Sequence, residues 1–296
     1  MEDQHLRYLV SNQHDIKWGM TVNSVGYQSI QPGESYPPHQ HPTRYLFDTR
    51  RGRILNEYQL LYITKGAGAF RSAATVCNEK IPVKEGDMFL LFPDQWHSYQ
   101  PDSRTGWDEY WIGFQGQIID HWKQEGFISA ARPVFHVGLR EDLAEQYRCA
   151  LEFAYAKEAS YQQVLCGIVG RLLSLAIFYD RNHNFASAKV DDTVMKARII
   201  ISENIMTITP EEVAGRLAMS YSKFRKVFKE YTGFPPGQYI QEIRINRAKE
   251  MLTNSSVSIK EIALELGYEN QDYFFTAFRR RTGMRPSEYR GLTRGR

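Results

Sequence analysis

Two stretches of this 296-residue chain set out, at helical spacing, side chains that can bond to base edges and phosphates. The first carries Ser222, Arg225, Lys226 and Lys229; the second carries Gln271, Asp272, Phe275, Thr276 and Arg279. Each group lies opposite an apolar stripe, Phe224, Val227, Phe228 and Tyr231 in one case and Phe274, Ala277 and Phe278 in the other. Such periodicity predicts amphipathic helices whose stripes form a core. Arg and Lys suit guanine, Gln suits adenine, a carboxylate accepts from cytosine N4, and an apolar ring touches a thymine methyl. Most exposed helix charges are only a solvated face. Here the face recurs in two related units and is basic in the first, which favours double-stranded DNA as the partner.

A second group is aromatic. Trp96, Tyr99, Trp107, Tyr110 and Trp111 accompany Glu109 and Arg51. Sugar sites pair aromatic faces with carboxylate and guanidinium hydrogen bonds, and this set supplies both. Taken singly, each aromatic is more often core filler. Strand alternation also limits the set: if Glu109 and Trp111 point inward, so does Trp107, and Tyr110 points outward.

The elements that must position these groups are legible. Residues 208–239 and 258–289 form an internal repeat. Thr209, Glu212, Ala214 and Leu217 match Ser258, Glu261, Ala263 and Leu266 at an offset of 49, while Phe224, Phe228, Gly233 and Pro236 match Phe274, Phe278, Gly283 and Pro286 at 50. The one-residue slip falls in the turn between the two helices of each unit, at Ala218-Met219-Ser220 and Gly267-Tyr268-Glu269. Thr209 with Glu212 and Ser258 with Glu261 predict capping boxes, and Pro210 suits the first helical position. Gly267 suits a left-handed turn. Each unit is therefore a helix–turn–helix, with recognition helices expected over about 222–231 and 271–281.

Upstream, residues to about 115 read as all-β. A strand over Tyr58–Thr64 is followed by an expected turn at Lys65-Gly66-Ala67-Gly68. Met88–Phe92 follows a Glu85-Gly86-Asp87 turn, and Trp107–Phe114 is strand-like. Such spacing predicts a sandwich or barrel. Two helices are expected over about 139–181, broken near Glu158-Ala159-Ser160. The second is rich in Val, Leu and Ile, which would cover the barrel, pair with a second subunit, or both.

Length predicts about two domains. From Lys189 onward there are 19 Lys and Arg against 13 Asp and Glu, a net +6; the remainder has 18 against 21, a net −3. A modest overall charge thus hides a basic C-terminal part, as expected where only one domain neutralises phosphates. Cys77, Cys149 and Cys166 are few and unpatterned, which fits a reducing cytoplasm and buried apolar roles. No leader is recognised and no stretch is expected to approach a membrane span, so no membrane partner is expected.

The C-terminal motifs resemble the DNA-binding domain of the AraC/XylS family of bacterial transcription regulators. Those motifs are Ile208 to Thr232-Gly233, Arg244 to Leu252, and above all Ile262-Ala263, Gly267-Tyr268, Tyr273-Phe274, Phe278-Arg279, Thr282-Gly283, Pro286 and Tyr289-Arg290. The resemblance implies seven helices and base contacts from Ser222, Arg225, Lys226, Gln271, Asp272 and Thr276. Gly66-x-Gly68, Glu85-Gly86-Asp87 through Pro93, and His97-x-Tyr99 resemble the cupin-like jelly roll of sugar-responsive members. Positions matching that family's arabinose pocket are Arg51, Tyr99, Glu109 and Trp111, with Arg50 and Arg53 reachable by a register shift; Glu109 stands where the pocket has a histidine. Enzymatic cupins hold a metal with several His and a Glu. His39-x-His41 sits before the barrel and His97 far along it, with no third ligand at a familiar spacing, so neither metal nor cofactor is expected. No phosphate loop or nucleophile motif appears.

The expectation is an α+β chain of two domains. Residues 1–182 form a cupin-like ligand-binding and dimerisation domain, 183–191 a linker, and 192–296 an all-α domain with two helix–turn–helix motifs. Its expected role is that of a cytoplasmic, homodimeric activator of a carbohydrate-utilisation operon, not an enzyme, taking a carbohydrate effector and engaging RNA polymerase. The alternatives are a metal-dependent cupin enzyme fused to a DNA-targeting module, or a regulator sensing a non-sugar such as an aromatic acid.

Overall fold

The computed structural model describes residues 4–37, 47–74, 80–184 and 188–293. The chain divides into two compact units, Met1–Asn184 and Phe185–Arg296. The expected linker, 183–191, spans this division, and residues 185–187 within it lie outside the described residues.

The first unit is built on β1 (Gln4–Tyr8), β2 (Thr21–Ile30), β3 (Arg53–Ile54), β4 (Tyr58–Ser72), β5 (Ile81–Lys84), β6 (Asp87–Leu91), β7 (Trp96–Pro101), β8 (Trp107–Gln115) and β9 (Val134–His136). One path runs β1-β2-β8-β4-β6-β9; β5 and β7 also pair with β4, and β3 pairs with β7. All pairings are antiparallel. The expected turn at 65–68 is instead a bend inside β4. A register shift between Ile63 and Lys65, with Gly66 at φ 81°, lets one strand serve both parts of the sheet. Glycine is required there, since a Cβ on Gly66 would lie 2.2 Å from the Gly106 carbonyl oxygen. A glycine signal read as a strand end marks a bulge.

The strands have two apolar faces. Leu61, Ile63, Phe89, Leu91, Trp107 and Trp111 point into the barrel. Leu60, Tyr62, Met88, Leu90, Ile112 and Phe114 point to a helical layer. That layer comprises α2 (Gln117–Gln124), α3 (Glu141–Ala156) and α4 (Tyr161–Asn184); a short α1 (Gln13–Ile16), held by an Asn12–Asp15 capping box, interrupts the expected all-β region. At the β2 bulge between Val22 and Ser24, buried Gln162 satisfies the backbone: its Nε2 donates to Val22 O and its Oε1 accepts from Val22 N, both at 3.0 Å.

Residues Tyr161–Asn182 of α4 are long and apolar enough, by length and composition, to cross a membrane. This corrects the expectation that no stretch approaches that length. The apolarity has a local cause: Leu165, Val169, Leu172, Leu173 and Ala176 are buried in the core shared with α3 and the sheet. Cys166 is buried there as well, and burial pushes its thiol up to about 12; Cys149 is half-buried. Cys77 lies outside the described residues.

The second unit holds seven helices among its described residues: α5 (Ala188–Glu203), α6 (Pro210–Arg216), α7 (Tyr221–Thr232), α8 (Pro236–Asn254), α9 (Ile259–Glu265), α10 (Gln271–Thr282) and α11 (Pro286–Thr293). Both capping boxes form, Thr209 with Glu212 and Ser258 with Glu261, and both second helices end on a left-handed glycine, Gly233 and Gly283. The unit contains two small cores. Val213, Phe224, Phe228 and Ile240 anchor one; Ile245, Leu252, Ile262, Phe274 and Phe278 anchor the other. Helix α8 spans both, giving Ile240 to the first and Ile245, Ala248 and Leu252 to the second.

Candidate DNA-reading face and effector cavity

In the second unit the apolar stripes are consumed by the two cores, which leaves the opposite helix faces to solvent. Ser222, Arg225, Lys226 and Lys229 on α7 are exposed, as are Asp272, Thr276 and Arg279 on α10; Gln271 is half-buried. Thr276 Oγ1 donates to Asp272 O at 2.9 Å, so its hydroxyl hydrogen is committed to its own helix. Phe275 departs from expectation. It is half-buried and packs against the second core, with its ring 6.1 Å from that of Phe274. Tyr273 is the exposed aromatic instead, at 60%. The sequence signal was present, since Tyr273 precedes the stripe residue Phe274, but a ring beside the stripe can lean onto the core from either side.

In the first unit, β8 presents Trp107, Glu109 and Trp111 to the barrel interior, as a period of two requires. Glu109 is 2% exposed, and Tyr99 and Trp111 are 5% exposed. Tyr99, Glu109 and Trp111 line one cavity, which also takes Gln28, Tyr36 and Arg53. Arg51 does not reach it: the residue is exposed, and its carbonyl accepts from Trp96 Nε1 at 2.7 Å. Arg53 takes the interior position, donating from Nη2 to Tyr99 OH at 2.7 Å and from Nε toward His97 Nε2 at 3.4 Å. The reason is the pairing of β3 with β7, which sets Arg53 opposite His97. Trp96 covers Gly52 at the surface end of this loop. Tyr110 faces the helical layer, its ring packed at a tilt against those of Tyr27 and Tyr147.

The Glu109 carboxyl accepts from Gln28 Nε2 and, at 3.0 Å, from the Tyr36 hydroxyl. Burial pushes its pKa up to about 7, while the Gln28 and Tyr36 hydrogen bonds and the Arg53 charge restrain the rise. Burial and the Glu109 charge hold the Tyr36 hydroxyl well above its ordinary range, so it serves as a donor. Burial, reinforced by Arg53, lowers His97 to about 4 and keeps it neutral. Tyr36 also meets Phe47, Tyr99 and Trp107 edge-on, at ring separations of 6.3, 5.9 and 5.7 Å. The remaining space is about 20 Å³, room for about one water.

Gln28, Tyr36, Phe47 and Gln59 are lining residues that sequence reasoning missed. For Gln28 a signal existed in hindsight, as a polar residue at an inward β2 position opposite Glu109. Tyr36 and Phe47 lie between β2 and β3, where the sequence carries no periodicity. His39 and His41 fall outside the described residues. Among the described residues no three His, Cys, Asp or Glu side chains cluster as metal ligands would.

Comparison with known proteins adds two family matches. Residues 21–166 match an AraC-like ligand binding domain, and residues 213–291 match a helix-turn-helix domain. The chain is 25% identical to the Msm operon regulatory protein of Streptococcus mutans over 95% of its own length and 96% of that protein. It is 28% identical to the raffinose operon transcriptional regulatory protein of Pediococcus pentosaceus, over 80% of this chain and 86% of that one. It is 26% identical to the lactose operon transcription activator of Staphylococcus xylosus, over 80% and 85% respectively.

Proposed function

The chain belongs to the AraC family of transcriptional regulators, DNA-binding proteins and not enzymes, and from that premise we propose that it activates a carbohydrate-utilisation operon in response to a sugar. The observation that carries the sugar is the cavity: a buried carboxyl and a guanidinium beside the aromatic walls of Tyr99 and Trp111. A polyol needs such charged partners, and a buried acid needs hydrogen bonds when no ligand is present, which Gln28 and Tyr36 supply. Regulators of raffinose and lactose operons stand among the relatives, in keeping with this assignment. On DNA, α7 would read with Ser222, Arg225 and Lys226, and α10 with Gln271, Asp272 and Thr276, while Lys229 and Arg279 neutralise phosphates. A homodimer using exposed Val164 and Phe178 of α4, a contact with RNA polymerase, and a cytoplasmic setting complete the reading.

The test is thermal stabilisation of the full chain by a panel of mono- and oligosaccharides set beside aromatic acids, since a ligand that binds the folded state raises the melting temperature. A sugar should stabilise the wild type and fail with Glu109→Ala. Stabilisation by aromatic acids alone, or undiminished sugar stabilisation of the variant, would refute the sugar assignment.

A further inference from the structure

We infer that the contact of Gly267 and Arg244 with the main chain at Met206 fixes the separation at which the two helix–turn–helix units read DNA. This rests on the reading that α7 and α10 both enter the major groove, and it adds what sets their register.

The two units of the repeat are not alike at their turns. The turn residue is Ala218 in the first copy and Gly267 in the second, and both are left-handed, with φ of 53° and 76°. Their turns bond in the same way. Ala218 N donates to Gly215 O and Met219 N to Ala214 O; Gly267 N donates to Leu264 O and Tyr268 N to Ala263 O, all at 3.0 Å. The turn therefore tolerates alanine, and backbone conformation alone does not call for glycine in the second copy. What differs is the surroundings. A Cβ on Gly267 would lie 1.7 Å from Met206 O and 2.7 Å from Met206 C. Met206 belongs to the segment between α5 and α6, in the first copy's half. The glycine stands where one copy's backbone is pressed against the other's.

Arg244 on α8 grips the same strand of main chain. Its Nε donates to Ile205 O at 2.9 Å and its Nη2 to Met206 O at 3.1 Å, while its guanidinium carbon lies 5.9 Å from the Tyr268 ring centre. Tyr268 OH then donates to Gln241 Oε1 on α8 at 2.8 Å. The Met206 carbonyl is thus held from the first half by a side chain of the shared helix and abutted by the turn of the second. Beside this seam lies a cleft of about 500 Å³. Apart from α8, no helix of one half packs extensively on a helix of the other among the described residues. The relative setting of α7 and α10 then depends on α8 and this narrow seam. Arg suits the task because its planar fork spans two carbonyls, which an ammonium cannot do with the same geometry.

The experiment is selection of bound duplexes from a random DNA library by the full chain, followed by affinity measurement on the enriched sequence. The wild type should enrich two boxes at one separation, about 10 base pairs between centres. Gly267→Ala should enrich the same two boxes at scattered separations and bind the wild-type duplex about tenfold more weakly, as when a linkage loses its fit to both sites. Ala218→Gly should change neither. Arg244→Lys should behave as Gly267→Ala does, and decides the matter if that variant fails to fold. Retention of a single separation and full affinity by the folded variants would overturn the inference. So would an equal scatter in Ala218→Gly, which would trace the effect to the turn alone. A wild type that enriches one box only would defeat the two-helix reading itself, and the seam inference with it.

Discussion

The Tyr36 hydroxyl, beyond the end of β2, donates to the Glu109 carboxylate in the middle of β8 at 3.0 Å. The ring lines the cavity and, on the sugar reading proposed above, fills space that the ligand would take. Tyr36→Ala is expected to bind the stabilising sugar more tightly than wild type, because entry no longer competes with the ring. It should also lower the stability of the empty protein by about 3 kcal/mol through lost burial. Tyr36→Phe should cost about 1 kcal/mol for the lost hydrogen bond. Urea unfolding with and without sugar measures all of these.

Glu109 gives the first unit an unusual pH response. Its folded pKa of about 7 lies above its ordinary 4.5. Because the folded chain keeps this proton to higher pH than the unfolded chain, the group's contribution to stability is greatest below about 4.5 and is lost as pH climbs through about 7. His97, lowered from 6.5 to about 4, acts in the opposite sense, its contribution being lost as pH falls through about 4. The informative quantity is therefore the difference between wild type and Glu109→Gln. The variant should gain stability relative to wild type as pH rises across the Glu109 window, and a pH-independent difference in melting temperature would contradict this.

On the DNA side, Arg225→Ala and Lys226→Ala should each lose about 1–3 kcal/mol on the selected duplex if they contact bases bidentately, with relaxed sequence preference at one position. Lys229→Ala should weaken binding evenly across sequences and reduce the salt slope by about one. Titrations at several salt concentrations distinguish the two behaviours.

Removing either capping box should destabilise the second unit. Thr209→Ala and Ser258→Ala each delete the side-chain acceptor for the third helical N–H, at 3.2 Å in both copies. A cost of about 1 kcal/mol apiece is expected in chemical denaturation.

Much of the second unit was legible because its repeat is local. Caps, apolar stripes and terminal glycines act over four to twelve residues, and sequence carries them directly. The cavity was legible only where one strand fixes it: strand parity alone turns Glu109 and Trp111 the same way. Arg53 in place of Arg51 could not be read, because the choice depends on the β3–β7 register, a contact between residues 44 apart. The same holds for Gly66, whose neighbour across the bend is Gly106, and for Gly267, whose neighbour is Met206. A glycine announces that something unusual happens to the backbone. It does not say whether a turn, a bend or another segment is responsible.

Strand β8 divides its labour by parity. Residues 107, 109 and 111 face the barrel interior, 109 and 111 of them lining the cavity, while 110, 112 and 114 face the helices. Substitutions at odd positions can therefore retune what the barrel accepts without repacking the helical layer, and those at even positions can adjust that layer without touching the pocket. In such a strand, a change to the inner wall leaves the packing of the outer layer as it was.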